Sequence, residues 1–312
     1  MSTENKRTLI KIAHYYYNLG MTQEQIAKKL SMSRQKINRL ISSLIQEGIV
    51  TITINGYENS FVELEDKLEQ KFNLKDVIIT STEEKEDLTY KLGKAAAFYL
   101  ESVATNNCII GTSWGTTLSE TANNLSKIKK NDISVVQLVG GINSKDISLK
   151  SDEITRNLAN TFNGKSYLMY APSLVKSKET RDIFMNEQSI KNTFRIIEKC
   201  DIALVGIGDL SKTSTVYKQN YLSEEEIEEV KNSKCIGDIC LRMYDVEGNS
   251  VSTNLDDRII GVSMDVLNKI PLVIAVAGGK DKTKAILGAL RGSLIDVLIT
   301  DNITAENILK YI

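Results

Sequence analysis

The alternation of short apolar segments with amphipathic helices from about residue 75 onward most limits the folds open to this chain. Six segments have the length and composition of buried strands, and helical periodicity fills the intervals between them. Strands that alternate with helices build a mostly parallel sheet, so we predict an α/β domain. The predicted strands are Val77–Thr80, Cys108–Gly111, Val135–Val139, Ile202–Val205, Leu272–Ala277 and Val297–Thr300, and the predicted helices are 86–103, 116–125, 151–162, 179–198, 223–233 and 283–291.

Charge divides the 312 residues unevenly. Residues 1–56 carry eight Lys or Arg against three Asp or Glu, whereas the remaining 256 carry 31 against 37, which together give the net charge of −1. Because a basic module is joined to a mildly acidic larger part of the chain, we expect only the small module to bind a polyanion. We predict a DNA-binding domain over 1–56, a connector or oligomerisation helix over 57–74, and a larger α/β domain over 75–312.

The first 56 residues have the pattern of a helix-turn-helix. A first helix ends at Gly20, Thr22 and Gln25 have the spacing of a capping box, and a three-residue break then precedes a helix over 34–46. Residues 49–54 alternate in polarity, which predicts a short strand that would form a wing.

The third helix of this module exposes polar side chains in its N-terminal half, because its apolar residues fall on the opposite face. A recognition helix needs hydrogen-bond donors there, and helix N-termini contact phosphates. A small bundle with a solvated basic face, or nucleoid-type binding without operator preference, is the alternative. The predicted DNA-binding residues are Thr22, Gln23, Ser33, Arg34, Gln35, Lys36, Asn38 and Arg39.

The connector has apolar residues on one side only. Phe61, Leu64, Leu68 and Phe72 recur at three- and four-residue steps, which predicts a helix of about four turns. Such a helix would pair with a second subunit or pack on the α/β domain, and the pattern leaves both open.

Glycines follow several of the predicted strands. They are Gly111, the Gly140–Gly141 pair, Gly206 with Gly208, and the Gly278–Gly279 pair. In open parallel sheets, ligands bind beyond the carboxyl ends of the strands, where glycine lets the backbone approach them. These glycines therefore predict one shared binding crevice.

The segment after the second strand has the composition of a phosphate cradle. An apolar strand enters a turn with Ser113 and Gly115, and Thr116 and Thr117 then open a helix. Free N–H groups at a helix start, together with these hydroxyls, suit an anion. The alternative is simple helix capping by Thr116.

The same segment also fits the G-x-S-x-G pattern of a serine hydrolase, with Ser113 as nucleophile. That chemistry needs a histidine base, and the only histidine, His14, lies in the DNA-binding module. We therefore exclude hydrolysis and expect no catalytic residue. Cys108 and Cys200 lie in apolar, strand-like segments, so we expect buried thiols there. The four cysteines lack zinc-site spacing, so we expect no metal or cofactor.

A second group of polar residues lies toward the C-terminus. Gly278 and Gly279 precede Lys282 at a predicted helix start, which would bring a cation to the same phosphate. Asp238 and Arg242 offer a carboxylate for hydroxyls and a cation for anions, although surface charge pairs are the alternative.

No apolar run approaches the roughly 20 residues of a membrane helix. The N-terminus also lacks the apolar stretch of a secretory signal. We therefore expect a cytoplasmic protein.

The ordered motifs resemble those of the SorC family of sugar-responsive transcription regulators over essentially the whole chain. The resemblance rests on T-Q-E-Q-I-A-K-K-L-S-M-S-R, G-T-S-W-G-T-T, V-V-Q-L-V-G-G, G-D-I-C-L-R, D-D-R-I-I-G-V, A-G-G-x-x-K, A-L-R-G and L-I-T-D. The G-x-S-W-G-T-T and G-D-I-C forms are most similar to the deoxyribonucleoside-regulator branch.

The resemblance implies a winged-helix-type DNA reader joined to a domain similar to the sugar-phosphate isomerase fold. It further implies a phosphorylated-sugar effector and a homodimer or homotetramer. The implied phosphate-binding residues are Ser113, Gly115, Thr116, Thr117, Gly278, Gly279 and Lys282. The implied sugar-binding residues are Gln137, Gly140, Gly141, Asp238 and Arg242.

The resulting prediction is a DNA-binding regulator, a repressor, whose operator binding a phosphorylated sugar controls. The alternative is a sugar-phosphate isomerase with an appended DNA-binding domain. That enzyme would need a base for enolisation, for which Asp238 or Asp257 would serve.

Overall fold

The computed structural model describes residues 3–57, 60–82, 87–126, 130, 132–141, 151–210 and 223–311. The chain divides into two compact units, Met1–Ser60 and Phe61–Ile312. Each unit has its own apolar core.

The smaller unit is built on three helices, α1 (Thr3–Ala13), α2 (Gln23–Leu30) and α3 (Arg34–Ser43), with a π-helical turn over His14–Asn18. Their apolar faces meet in a core whose members include Leu9, Ile12, Ile26, Ile37 and Leu44. The predicted helix-turn-helix is confirmed, and both of its predicted N-caps are present.

The predicted wing strand over 49–54 is wrong. The described backbone of these residues forms no strand, and Ile52 and Ile54 are 57% and 64% exposed. Ile49 and Val50 instead pack against the helical core. An alternating segment becomes a strand only where a partner strand satisfies its backbone groups.

The larger unit contains a seven-stranded sheet. Its strands are β1 (Asp76–Thr80), β2 (Ile109–Thr112), β3 (Ser134–Gln137), β4 (Lys165–Tyr167), β5 (Ile202–Gly206), β9 (Leu272–Val276) and β10 (Val297–Asp301). They lie in the order β1-β10-β9-β5-β2-β3-β4, and all their pairs are parallel. The six predicted strands are confirmed, while β4 was missed because it is a three-residue edge strand without a buried residue.

Apolar cores lie on both faces of this sheet. Ala203 and Val205 of β5 join one core, and Ile202 and Leu204 join the other, as the alternation of side chains along a strand requires. The described helices of this unit are α4 (Val62–Phe72), α5 (Leu88–Val103), α6 (Thr116–Asn124), α7 (Ser151–Thr161), α8 (Lys178–Asn186), α9 (Gln188–Ile197), α10 (Glu224–Asn232), α11 (Met264–Leu267), α12 (Thr283–Arg291) and α13 (Asn302–Leu309).

Two predicted helices differ from the structure. The single helix predicted over 179–198 is two helices, α8 and α9, because Glu187 takes an extended conformation with ψ 134°. Position 86, where the helix 86–103 was predicted to begin, lies outside the described residues. Within the described part of the chain, no helix has both the length and the apolar character needed to cross a bilayer.

The strand order creates a topological switch point between β2 and β5. From β2 the chain continues outward through β3 and β4, and it then returns to the other side of β2 as β5 before adding β9 and β10. The connections that leave β2 and β5 therefore diverge, which opens a crevice at their carboxyl ends.

A second, antiparallel sheet stands beside this crevice. It consists of β6 (Gly208–Asp209), β7 (Gly237–Ile239) and β8 (Arg242–Tyr244). Sequence patterns missed it, because none of its strands is longer than three residues. The β7–β8 turn is Cys240–Leu241, and both residues have positive φ angles, +54° and +67°. Such a type I′ turn strains residues other than glycine, asparagine or aspartate.

Helix α4 packs on the larger unit, one of the two arrangements the sequence left open. Leu68 is fully buried in the core of this unit. Glu65 Oε1 accepts a hydrogen bond of 2.8 Å from Ile79 N, and Glu69 Oε1 accepts one of 3.1 Å from Val77 N. Because β1 is an edge strand, the two carboxylates satisfy amides that no neighbouring strand reaches.

Candidate functional site

A cavity of about 180 Å³ lies at the switch point. It is lined by the residues that follow β2 and β5, by the β7–β8 turn, and by Lys282. Ligand sites in open α/β sheets occur at this position. The cavity brings together six of the predicted effector-binding residues, namely Ser113, Gly115, Thr116, Thr117, Asp238 and Lys282.

The N-terminus of α6 opens at this cavity without a side-chain cap. Its N-cap is Gly115, whose φ of +148° disfavours other residues, so the alternative of capping by Thr116 is wrong. The backbone bond from Ser119 N to the Gly115 carbonyl is 2.9 Å, and three amides precede it. The amides of Thr116, Thr117 and Leu118, with the helix dipole, favour an anion here.

A buried group of charges forms another wall of the cavity. Lys282 lies near the carboxylates of Asp209 and Asp238, and its Nζ donates a hydrogen bond of 2.7 Å to the Ile207 carbonyl. Burial lowers the pKa of Lys282, although both carboxylates act against this effect. The cavity can therefore offer both a cation and hydrogen-bond acceptors to a polar ligand.

Asp238 is a buried carboxylate of this group and has a raised pKa. Burial raises its pKa to about 6, against the hydrogen bond from Leu241 N and the charge of Lys282, while the charge of Asp209 adds to the rise. Sequence reasoning missed Asp209, which follows the Gly206-x-Gly208 turn. Only its place directly after a strand-end glycine could have indicated it.

Trp114 also lines the cavity, and sequence reasoning did not single it out. Its Nε1 is buried and has no acceptor among the described residues. A buried indole N–H usually has a partner, so this donor is unsatisfied.

The four cysteines are free and buried, which confirms the burial predicted for Cys108 and Cys200. Cys240 lines the cavity, and burial raises the pKa of its thiol to about 12. The neutral thiol is therefore the form present near neutral pH. Among the described residues, no cluster of His, Cys, Asp and Glu has the arrangement of a metal site.

The glycine pair Gly278–Gly279 lies outside the cavity lining. The Gly279 amide donates to Asp301 Oδ2 at 2.7 Å and to Thr304 Oγ1 at 2.9 Å. This amide therefore already has protein acceptors, and phosphate binding by the pair stays a prediction.

Gln137, Gly140 and Gly141 also lie outside the cavity lining. Gln137 is 1% exposed, and its Nε2 donates a hydrogen bond of 2.6 Å to Ser151 Oγ. The amides of Gly140 and Gly141 donate to the carbonyls of neighbouring loops at 2.9 Å. Sugar binding by these three residues stays a prediction.

Arg242 does not line the cavity either. Its guanidinium donates to the Val262 carbonyl at 3.0 Å and pairs with Asp256 Oδ1 at 3.3 Å. These contacts join β8 to the chain over 256–262, and effector binding by Arg242 stays a prediction.

The predicted DNA-binding residues lie at the N-terminus of α2 and along the N-terminal half of α3. Thr22 Oγ1 accepts from Gln25 N at 3.3 Å, and Ser33 Oγ accepts from Lys36 N at 3.2 Å. Gln23 is half-buried and donates to Asn38 Oδ1 at 3.0 Å, which ties α2 to α3. The predicted residues with exposed side chains are Thr22, Ser33, Arg34, Gln35, Lys36, Asn38 and Arg39.

Comparison with known protein families assigns both units. Residues 58–310 match the family described as "Putative sugar-binding domain". Residues 6–70 match the Crp-like helix-turn-helix domain.

Individual relatives match along the whole chain. The sorbitol operon regulator of Klebsiella pneumoniae is 32% identical over 314 residues and covers 99% of both chains. The deoxyribonucleoside regulator of Bacillus subtilis (strain 168) is 30% identical and covers 98% of both. Because these identities are nearly equal, membership of the deoxyribonucleoside branch stays a prediction.

Solved structures agree with this assignment. The crystal structure of the full-length sorbitol operon regulator SorC from Klebsiella pneumoniae superposes with a TM-score of 0.77 at 33% identity, over 97% of this chain and 98% of that one. A transcriptional regulator from Streptococcus pneumoniae TIGR4 gives a TM-score of 0.77 at 29% identity, over 82% and 99% of the chains. With its helix-turn-helix and sugar-binding domains, the chain belongs to the SorC family of DNA-binding transcription regulators.

Proposed function

We propose that this regulator is a repressor whose operator binding is controlled by a phosphorylated sugar in the cavity at the switch point. One observation carries the proposal: the uncapped N-terminus of α6 opens into the same cavity as Lys282, Asp209 and Asp238. A helix N-terminus favours a phosphate, whereas buried carboxylates accept hydrogen bonds from hydroxyls. A phosphorylated sugar carries both kinds of group.

Two groups of cavity residues suit different parts of this ligand. The start of α6 offers amides and the hydroxyls of Ser113, Thr116 and Thr117 without a carboxylate among them. Lys282, in contrast, already has two carboxylates nearby, so its charge is partly balanced. We therefore assign the phosphate to α6, with Lys282 between the phosphate and the hydroxyls of the sugar.

A thermal-shift screen of sugar phosphates tests this proposal. The panel includes 2-deoxy-D-ribose 5-phosphate and D-glucitol 6-phosphate, each beside its unphosphorylated parent. A ligand that binds only the folded state at 100 times its Kd stabilises it by about 2.7 kcal/mol. We expect stabilisation by a phosphorylated member and none by its parent.

Two variants and one control locate the site. Thr117→Val and Lys282→Met should lose the stabilisation. Lys284→Met, which changes an exposed lysine in the first turn of α12, should keep it. Stabilisation that survives in both cavity variants would contradict the assignment of the site.

We infer that the cavity binds its ligand without converting it. A raised pKa of about 6 suits Asp238 to proton transfer, which favours the isomerase alternative. Against this, Asp238 Oδ2 already accepts a hydrogen bond of 3.0 Å from Leu241 N, which supports a structural role. A coupled isomerase assay with pentose and hexose phosphates tests this inference. Turnover by wild type that is lost in Asp238→Asn would show that the cavity converts its ligand and would contradict the inference.

We propose a homodimer or homotetramer that acts in the cytoplasm, where its operator lies. Helix-turn-helix modules bind two-fold operators as pairs, which supports this assembly. Sedimentation of the protein alone and with operator DNA tests it. A monomer at the concentration that saturates the operator would exclude the assembly.

A further inference from the structure

We propose that Asp301 is a positioning residue that holds Lys282 in the cavity. Asp301 is the last residue of β10 and is 1% exposed. It does not line the cavity, so its effect reaches a ligand only through other residues. The inference rests on the proposed function where it concerns a ligand, but the contact itself can be tested without one.

The Asp301 carboxylate holds two separate segments of the chain. Its Oδ1 accepts a hydrogen bond of 2.9 Å from Thr304 N, which caps α13. Its Oδ2 accepts one of 2.6 Å from Thr304 Oγ1 and one of 2.7 Å from Gly279 N. Gly279 N also donates to Thr304 Oγ1 at 2.9 Å, so the three groups form a closed network around the buried carboxylate. Charge-assisted bonds of this kind are stronger than neutral ones.

The glycine pair is shaped to fit this carboxylate. A β-carbon on Gly278 would lie 2.5 Å from Asp301 Oδ2, and Gly279 has a φ of +101° that strains other residues. The network thus accounts for the two glycines, and neither of them has to contact a phosphate for this explanation to hold.

The turn that Asp301 holds leads directly to Lys282. The Gly279 carbonyl accepts a hydrogen bond of 2.9 Å from Lys282 N, which closes the short 3₁₀ turn Lys280–Lys282. At the other end of the side chain, Nζ donates to the Ile207 carbonyl at 2.7 Å. The backbone and the ammonium group of Lys282 are therefore both fixed, and Asp301 fixes the backbone end.

The same carboxylate joins the cavity turn to the rest of the fold. Asp301 begins α13, and α13 packs against α4, the helix that follows the DNA-binding unit in the chain. A ligand that displaced the turn would therefore strain the hydrogen bonds of Asp301 at the N-terminus of α13. One buried carboxylate thus holds both the turn that leads to Lys282 and the N-terminus of α13.

Asp301→Asn tests the contact without any ligand. Asn keeps an acceptor for Thr304 N, but its amide group would face the Gly279 N–H as a second donor. We expect hydrogen exchange at the Gly279 amide to accelerate at least tenfold and reductive methylation of Lys282 to become faster. Exchange at Val136 of β3, outside the network, is the internal control for intact folding. Unchanged Gly279 exchange and Lys282 methylation would overturn the proposal.

Thr304 provides a matched pair of variants. Thr304→Ser keeps the hydroxyl and should behave as wild type, whereas Thr304→Val removes it and should resemble Asp301→Asn. Equal behaviour of the two Thr304 variants would contradict a role for the hydroxyl network.

A double-mutant cycle with 2-deoxy-D-ribose 5-phosphate and D-glucitol 6-phosphate tests the effect on binding. If Asp301 acts through Lys282, Asp301→Asn weakens binding at least tenfold in the wild-type background but leaves unchanged the residual binding of Lys282→Met, which is measured at higher ligand concentration. Equal weakening in both backgrounds shows a general structural role and overturns the positioning role. Failure of wild type to bind either probe counts against the proposed function, and the exchange experiment still decides the contact.

Discussion

Gly208 and Asp238 face each other across the β6–β7 pair so closely that a β-carbon on Gly208 would lie 1.9 Å from Asp238 Oδ1. The Asp238 side chain is buried, and its other oxygen accepts the hydrogen bond from Leu241 N. The glycine is therefore required by the carboxylate opposite, which in turn supports the strained Cys240–Leu241 turn beside the cavity.

Gly208→Ala should destabilise the protein by about 1–3 kcal/mol, because the added methyl group forces the buried carboxylate to move. Gly206→Ala is the matched control, since a β-carbon there meets no atom within 4 Å. Urea unfolding measures both, and we expect the control to lie within about 0.5 kcal/mol of wild type. Equal stability of the two variants would exclude the close approach.

The pH dependence of the unfolding free energy should reveal the titration of Asp238. Its folded-state pKa of about 6 lies above the unfolded value near 3.9, so the folded protein binds the proton more tightly. Protonation of Asp238 therefore contributes up to roughly 3 kcal/mol to the free energy of unfolding. This contribution is fully present below about pH 4 and is lost as the pH rises through about 6.

Asp238→Asn removes this titration. The unfolding free energy of wild type minus that of the variant should therefore fall between pH 4 and pH 7, in buffers without phosphate. A difference that stays constant over this range would show that Asp238 titrates normally.

The carboxylates of α4 should stabilise the edge of the sheet through hydrogen bonds. Glu65→Ala leaves the Ile79 amide without its acceptor, at a cost of about 1–3 kcal/mol if water does not reach it. Glu65→Gln retains an acceptor oxygen and should remain close to wild type. Chemical denaturation compares them, and a Gln variant as unstable as the Ala variant would refute a hydrogen-bonding role.

The exposed arginines of α3 should determine operator recognition. Arg34→Ala or Arg39→Ala should lose about 1–3 kcal/mol of binding to an operator selected from genomic fragments if the arginine contacts bases. Lys191→Ala changes an exposed charge in the other unit and is the control. Fluorescence anisotropy measures the affinities, and unchanged specificity in both arginine variants would remove α3 as the recognition helix.

Local sequence signals predicted much of this fold. The main strands could be predicted because each is a continuous apolar run, and the capping box at Thr22 because its residues are three apart. The helix start at Gly115 could be predicted because the strand, the turn and the helix are consecutive in the chain.

Contacts between distant segments could not be predicted in this way. Asp209 meets Lys282 and Asp238 only after three separate segments fold together. The Gly278–Gly279 pair has the sequence pattern of a phosphate loop, yet the Gly279 amide binds Asp301, 22 residues further along the chain. A sequence pattern can show that a position requires glycine, but it does not show which neighbouring atom causes the requirement.

Operator affinity with and without a sugar phosphate tests the central claim most directly. The measurement uses fluorescence anisotropy on the full chain, with wild type, Lys282→Met and Lys284→Met. We predict that saturating sugar phosphate weakens operator binding about 5- to 150-fold in wild type and Lys284→Met, as coupling energies of 1–3 kcal/mol imply, and has no effect in Lys282→Met. Operator affinity that stays constant in wild type, although the sugar phosphate occupies the cavity, would contradict the claim.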